Sequence, residues 1–201
     1  MKMNKPQGYD EAQSYTGDFE NLELGGHVCQ IKEVRVENTL NTGAEVLIIA
    51  FDIAEGKQAG FYQKKYDEDK KNNTNAKWKG VYRQFTQGNS TPYFKGMIEN
   101  IEKSNEGYNF ANTGFNEQTL IGKFFGGIFG REQFKDQQGK LRFATKCRVI
   151  RTVEAVRNGV EVPEDKLLPV QQYNDFFSPV SQDDDLPFWW GDLNVGRDRK
   201  I

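Results

Sequence analysis

Apolar and polar residues alternate along the chain in stretches that predict a small β-rich body. Gly25-Gly26 opens the first stretch. His27, Cys29 and Ile31 share one strand face, whereas Val34 and Val36 take the other parity. The apolar face therefore switches near Lys32-Glu33, which predicts one extra residue and a bulge. Ala44 to Ile53 is almost continuously apolar (Val46, Leu47, Ile48, Ile49, Phe51, Ile53) and reads as a central strand covered on both sides. Asn41-Thr42-Gly43 supplies the turn before it. A third extended element starts at Phe61-Tyr62, is interrupted by a charged insertion from Asp67 to Lys79, and resumes as Val81-Tyr82-Arg83-Gln84-Phe85.

Ser90-Thr91-Pro92 predicts a helix start, with a hydroxyl cap and then proline in the first turn. Phe94, Met97, Ile98 and Ile101 fall at the spacing of one buried stripe, and Asn105 to Gly107 ends the helix. Leu120 to Arg131 reads as a strand punctuated by glycines at 122, 126, 127 and 130, which mark bends or close backbone approach. The turn Asp136-Gln137-Gln138-Gly139 leads to a last strand, Leu141 to Val153. There Leu141, Phe143, Cys147 and Val149 face inward, and Arg142, Lys146 and Arg148 face outward.

The expected order is β-β-β-α-β-β, the order of a five-stranded OB-fold barrel, so the chain reads as mainly β with that barrel at its centre. Residues 1–20 form an N-terminal arm and residues 21–157 the barrel domain. Beyond Arg157, Val162-Pro163, Leu168-Pro169 and Ser178-Pro179 interrupt regular structure. Residues 158–201 are expected to be an extended or disordered acidic tail.

Charge sharpens this division. The formal net charge is only −2, but cations outnumber carboxylates between Glu20 and Arg157. From Asn158 to Gly196 the only cation is Lys166, among many acids. A mildly basic body suits a polyanion, and the tail can compete for the same surface or bind elsewhere. The two cysteines, Cys29 and Cys147, lie far apart and the chain has a single histidine, His27. Neither a zinc constellation nor a disulfide framework is expected, and no cofactor is implied. No apolar run reaches membrane-spanning length, so a soluble protein of the cytoplasm, with no membrane partner, is expected.

Two regions carry the residue types that hold single-stranded nucleic acid, in which cations follow phosphates and aromatic faces stack with bases at roughly 1–3 kcal/mol each. In the first, Lys64, Lys65, Lys70, Lys71, Lys77, Lys79 and Arg83 interleave with Tyr62, Tyr66, Trp78, Tyr82 and Phe85. Trp78 stands out because it sits between two lysines in a polar stretch. The second is the hairpin between the last two strands, with Arg131, Phe134, Lys135, Lys140 and Arg142, its charge continued by Lys146 and Arg148. Core aromatics and ordinary charged outer faces are the competing structural readings of both regions. Asp67-Glu68-Asp69 is the one acidic group that suggests metal-dependent nuclease chemistry. Its residues are adjacent, with no second carboxylate group or histidine at a defined spacing. No nucleophile elbow, P-loop or HExxH pattern is present, so no catalytic residue is assigned.

The tail supplies a resemblance. Asp183-Asp184-Asp185-Leu186-Pro187-Phe188 resembles the C-terminal tip of bacterial single-stranded DNA-binding proteins, an acidic run closed by Ile or Leu, Pro and Phe. The resemblance implies that the three acids meet a basic rim on a partner while Pro187 and Phe188 enter a pocket. In that family the Phe is the final residue; here Trp189 to Ile201 follow it. A wider likeness spans roughly residues 9–170. Tyr15-Thr16-Gly17-Asp18-Phe19-Glu20, Gly25 to Lys32, Phe51-Asp52-Ile53-Ala54-Glu55-Gly56, and Phe94-Lys95-Gly96 with Ile101 to Asn105 look like small proteins from the replication and recombination modules of phages of Gram-positive bacteria.

Together these imply a non-catalytic protein of the bacterial host's cytoplasm. It would bind single-stranded DNA with little sequence preference during phage replication or recombination and recruit replication or recombination proteins through its tail. Exposed strand edges would permit a homo-oligomer. The rival readings are a protein-binding adaptor with an OB-like barrel and, third, a metal-dependent nuclease.

Overall fold

The computed structural model describes residues 21–136 and 138–169, together with Lys5 and Tyr9. The rest of the N-terminal arm and the docking tip, 183–188, lie outside the described residues. Five antiparallel strands form one sheet: β1 (Gly25–Asn38), β2 (Glu45–Ile53), β3 (Val81–Phe85), β4 (Phe124–Lys135) and β5 (Leu141–Arg151), in the order β3-β2-β1-β4-β5. Among the described residues three α-helices accompany them: α1 (Phe61–Asn72), α2 (Thr91–Lys103) and α3 (Val153–Arg157). No ladder joins β3 to β5 among the described residues, so the sheet is open where a closed barrel was expected.

The bulge in β1 falls where the parity change places it. Ile31 pairs with Phe51 and Glu33 with Ala50, so Lys32 is the extra residue. Cys29 and Ile31 before it and Val34 after it thereby all reach the core. Strand β2 is buried along almost its whole length, as its continuous apolar run requires. The core fills one face of the sheet with Ile31, Leu47, Ile49, Phe51, Phe125 and Phe129, and α2 contributes Met97, Ile98 and Ile101 to it.

The expected third strand does not start at Phe61. That segment is helix α1, a correction with a local cause. Asp52, buried on β2, accepts the backbone amides of Tyr62 (2.8 Å) and Gln63 (3.2 Å), so a carboxylate from the preceding strand caps the helix. Gly60, the residue before the helix, has φ 73° and no side chain with which to cap it. The first part of the charged stretch, to Asn72, is therefore helical, and only Val81–Phe85 joins the sheet. With α3 as well, the body carries two helices beyond the expected order.

Smaller corrections follow the same logic. Ser90 makes no capping hydrogen bond and is itself in a helical conformation, although proline does occupy the first turn of α2. Leu120 belongs to a short 3-10 turn (Glu117–Leu120), and β4 begins only at Phe124. A second bulge pairs Ile128 with Val149 and Phe129 with Cys147. Arg148 is the extra residue, so Val149 moves to the outer face and Ile150 turns into the core.

The outer face of β1 and β4 carries a second small cluster of Val28, Val153 and Val156 beneath α3. Gly126 permits that approach, since a Cβ there would meet Thr152 O at 2.4 Å. Past α3 the chain continues as a strap along β4. Lys166 N–H donates to Arg131 O (2.9 Å) and Gln133 N–H donates to Lys166 O (2.8 Å), a parallel bridge. The first part of the expected tail is thus laid against the sheet as an extended segment.

Candidate nucleic-acid interface

Strands β4 and β5 run beyond the start of β1 at Gly25, so their hairpin projects from the sheet. Its two faces carry different pairs. Phe134 lies directly across from Arg142. On the opposite face the Arg131 guanidinium stands 5.3 Å from the centre of the Phe143 ring. Phe134 is 40% exposed, Phe143 45% and Leu141 53%. Lys135 and Lys140 are exposed at the tip. Rings and cations are presented together here.

Both hairpin arginines are already engaged. Arg131 makes a forked contact with Asp165 of the strap, Nε to Oδ1 at 2.8 Å and Nη2 to Oδ2 at 2.7 Å. Asp136 takes Arg142 Nε at 2.7 Å and the amides of Lys140 and Gln138, bonds that hold its carboxyl below the usual range. A carboxylate fork of this kind has the geometry in which arginine also grips phosphate. Lys146 and Arg148 are half-buried further along β5, and Arg148 Nη1 is enclosed without a hydrogen-bond partner among the described residues.

The first predicted region divides differently. Trp78 is only 4% exposed, and its Nε1 donates to Phe51 O (3.1 Å) and Gly80 O (3.2 Å). Tyr62 is 6% exposed, edge-on to Phe51 and Phe61, and burial pushes its phenol well up. Neither ring offers a face to a base, and both belong to the core; this corrects their expected stacking role. Tyr82 packs half-buried against the core opposite Ile49, and burial pushes its phenol up to about 12. Lys65 Nζ lies 5.5 Å from the Phe61 ring, and Lys79 is paired with Asp69 at 2.7 Å. Lys64 and Lys77 are exposed. On β3, half-buried Arg83 and the exposed ring of Phe85 have opposite parity to Tyr82 and lie across from Ile48 and Val46. This group sits at the β3 edge of the sheet and the hairpin at the β5 edge.

Asp67, Glu68 and Asp69 are consecutive on α1, so they point in three directions around the helix. Among the described residues no group of three or more His, Cys, Asp and Glu side chains is placed to hold a metal ion. No helix among them is long and apolar enough to cross a membrane. Buried Cys29 and half-buried Cys147 both set their thiols against Gly127, where a Cβ would meet Cys29 Sγ at 3.1 Å and Cys147 Sγ at 3.3 Å.

Sequence reasoning missed two features. One is the strap with Asp165, which falls within the expected tail. The other is a pocket of about 450 Å³ at the far end of the sheet from the hairpin, bordered by Phe94, Phe110 and Phe115. Phe115 has φ 59°, a left-handed conformation that costs a bulky residue roughly 1–2 kcal/mol. A glycine before an exposed phenylalanine was the available signal. A scan against protein-family models and a search of curated proteins found no match for the chain.

Proposed function

We propose that the protein binds single-stranded DNA with little sequence preference, through the β4–β5 hairpin and the outer face of β3. The observation that carries this reading is the hairpin itself. Two exposed rings, Phe134 and Phe143, alternate there with Arg131, Lys135, Lys140 and Arg142 on a projecting, core-anchored ribbon. Rings stack with bases irrespective of sequence, and cations track the phosphates.

The strand order supports an OB-type architecture for this role. An OB barrel opened between its third and fifth strands has the order β3-β2-β1-β4-β5, with a helix between strands three and four. Helix α2 occupies that place and touches both seam strands; Asn100 Nδ2 donates to Ile150 O at 3.2 Å. Drawing the seam together would bring Arg83 and Phe85 towards the β5 side and join the two candidate regions into one groove. The acidic tip, Asp183 to Phe188, would then recruit replication or recombination proteins, in keeping with its resemblance to bacterial single-stranded DNA-binding proteins and with the phage setting.

The deciding experiment is a salt titration of binding to oligo-dT. Binding should weaken steeply as salt rises, because each neutralised phosphate releases counterions. An absence of binding at low salt would leave the protein-adaptor reading, and magnesium-dependent loss of a labelled strand would favour a nuclease.

A further inference from the structure

The pocket at the far end of the sheet has a chemistry unlike that of the hairpin. Three phenylalanines border it, with Phe94 and Phe115 each edge-on to Phe110: Phe110 lies 6.5 Å from Phe94 and 5.4 Å from Phe115 between ring centres, with interplanar angles of 74° and 84°. Leu47 of the core also lines it. Val36, Thr86 and Gln87 line it too, together with two carboxylates, Glu45 and Glu117, and no lysine, arginine or histidine takes part.

The cage is built and held. Glu45 accepts the Thr86 hydroxyl, which fixes its side chain. The Phe110 amide donates to Glu102 Oε1 of α2 at 2.7 Å, tying the aromatic loop to the helix. Gly114 and Phe115 are successive left-handed residues, with φ 68° and 59°, and Phe115 is 64% exposed.

Aromatic faces carry negative quadrupole potential, and a ring cage with carboxylates attracts an alkyl cation that brings its own apolar stem. The pocket would repel a phosphate. The geometry points to a second binding site, separate from the nucleic-acid surface: an aromatic-acidic cage that takes a lysine or arginine side chain of a partner protein. The argument is charge complementarity. Two carboxylates face a cavity that no internal cation among its lining residues neutralises, and its volume exceeds that of one long basic side chain.

The test titrates the full-length protein with acetyl-Gly-Lys-Gly-amide and acetyl-Gly-Arg-Gly-amide, with acetyl-Gly-Gln-Gly-amide as the neutral control, and follows phenylalanine ring resonances by NMR. The cationic peptides should give saturable shifts that salt weakens, and the glutamine peptide should not. Glu117→Gln and Phe115→Leu should each weaken binding by about three- to fivefold, through loss of a charge and of a cation–π face. Thermal unfolding of each variant shows whether it is folded. Equal binding of the glutamine peptide, or no saturable shift with any peptide, overturns the site. A chain ending at residue 195 that binds the probes more tightly than the full chain would overturn the partner assignment, because Arg197, Arg199 and Lys200 would then be the occupants.

Discussion

The carboxylate of Asp52, at the end of β2, accepts the backbone amide of Tyr62 at 2.8 Å across ten residues of chain. The same carboxylate takes the amides of Ile53 (2.8 Å) and Gln63 (3.2 Å), and the residue is 4% exposed. One buried side chain therefore ends a strand and starts a helix. Asp52→Ala leaves three amides without that acceptor and should cost about 2–3 kcal/mol, since hydrogen bonds to charged groups carry roughly 1.5–3 kcal/mol. Asp52→Asn, which keeps one carbonyl oxygen, should cost less. Urea unfolding measures both; a loss below about 0.5 kcal/mol for the alanine variant would deny the cap its role.

Glycines separate into two kinds that one substitution distinguishes. A Cβ at Gly126 would meet Thr152 O at 2.4 Å, whereas a Cβ at Gly96, inside α2, meets nothing within 4 Å. Gly126→Ala must push α3 off the sheet and should destabilise by about 1–3 kcal/mol. Gly96→Ala should stabilise by about 0.5–1 kcal/mol through helix propensity. Thermal melts of the two variants should therefore shift in opposite directions.

Phe115 offers a direct measure of backbone strain. Phe115→Ala loses the ring contact with Phe110 and keeps the left-handed β-carbon; Phe115→Gly loses both. The glycine variant should be the more stable of the two by about 1 kcal/mol. Equal stabilities would mean that the loop relaxes out of the left-handed region.

Much of this fold was legible in the sequence because the two-residue period of a half-buried strand is a strong signal. The β1 bulge follows from a break in it, whereas the buried β2 follows from a continuous apolar run and α2 from an apolar stripe at helical spacing. Helix α1 was not legible, since its cap lies on another element and its sequence, rich in Lys and acidic residues, carries almost no apolar stripe. Trp78 misled for a related reason. A tryptophan between two lysines reads as exposed, yet the residues flanking a buried ring can both point to solvent, as Lys77 and Lys79 do. The hairpin candidates were found because exposed rings beside cations are a compositional signal; the Asp165 contact was not, because it joins residues 34 positions apart.

Trp78 gives a spectroscopic prediction. In a Trp189→Phe, Trp190→Phe background its emission should be that of a buried indole, and saturating oligo-dT should leave it unquenched. Trp78→Ala should cost about 3–5 kcal/mol, as large aromatic truncations in cores do. Strong quenching by oligo-dT would return the ring to a nucleic-acid surface.

Alkaline stability follows from the buried acids. Burial pushes Cys147 from its ordinary 9.0 up to about 12, with Cys29 raised as well, and pushes Tyr82 from 10.0 up to about 12. A folded-state value above the unfolded one means that the unfolded chain releases its proton first as pH rises. The native state then binds more protons, and stability falls with pH. The contribution is fully present below pH 9.0 and is lost between there and about 12. Urea midpoints should be flat from neutral pH to just below that window and drop within it. Cys29→Ala/Cys147→Ala should blunt the start of the drop; an unchanged onset would assign it to other groups.

On the DNA-binding reading, the forked contact between Arg131 and Asp165 stands where a phosphate would. Asp165 holds the guanidinium as a phosphate would, so DNA either displaces the strap or uses Arg131 only to orient Phe143. Asp165→Asn distinguishes these. If Asp165 competes, removing its charge should tighten oligo-dT binding several-fold at low salt. It should also steepen the slope of log K against log salt by about 0.7, the value for one further phosphate contact on a single strand. If the strap positions the hairpin, the same variant should bind more weakly with an unchanged slope. The forked geometry favours competition. The contact is solvent-exposed, with Arg131 and Asp165 side chains 51% and 29% accessible, and water and salt screen exposed ion pairs of this kind so that they contribute little. A phosphate that brings counterion release with it has enough free energy to replace such a contact, whereas a buried pair would hold.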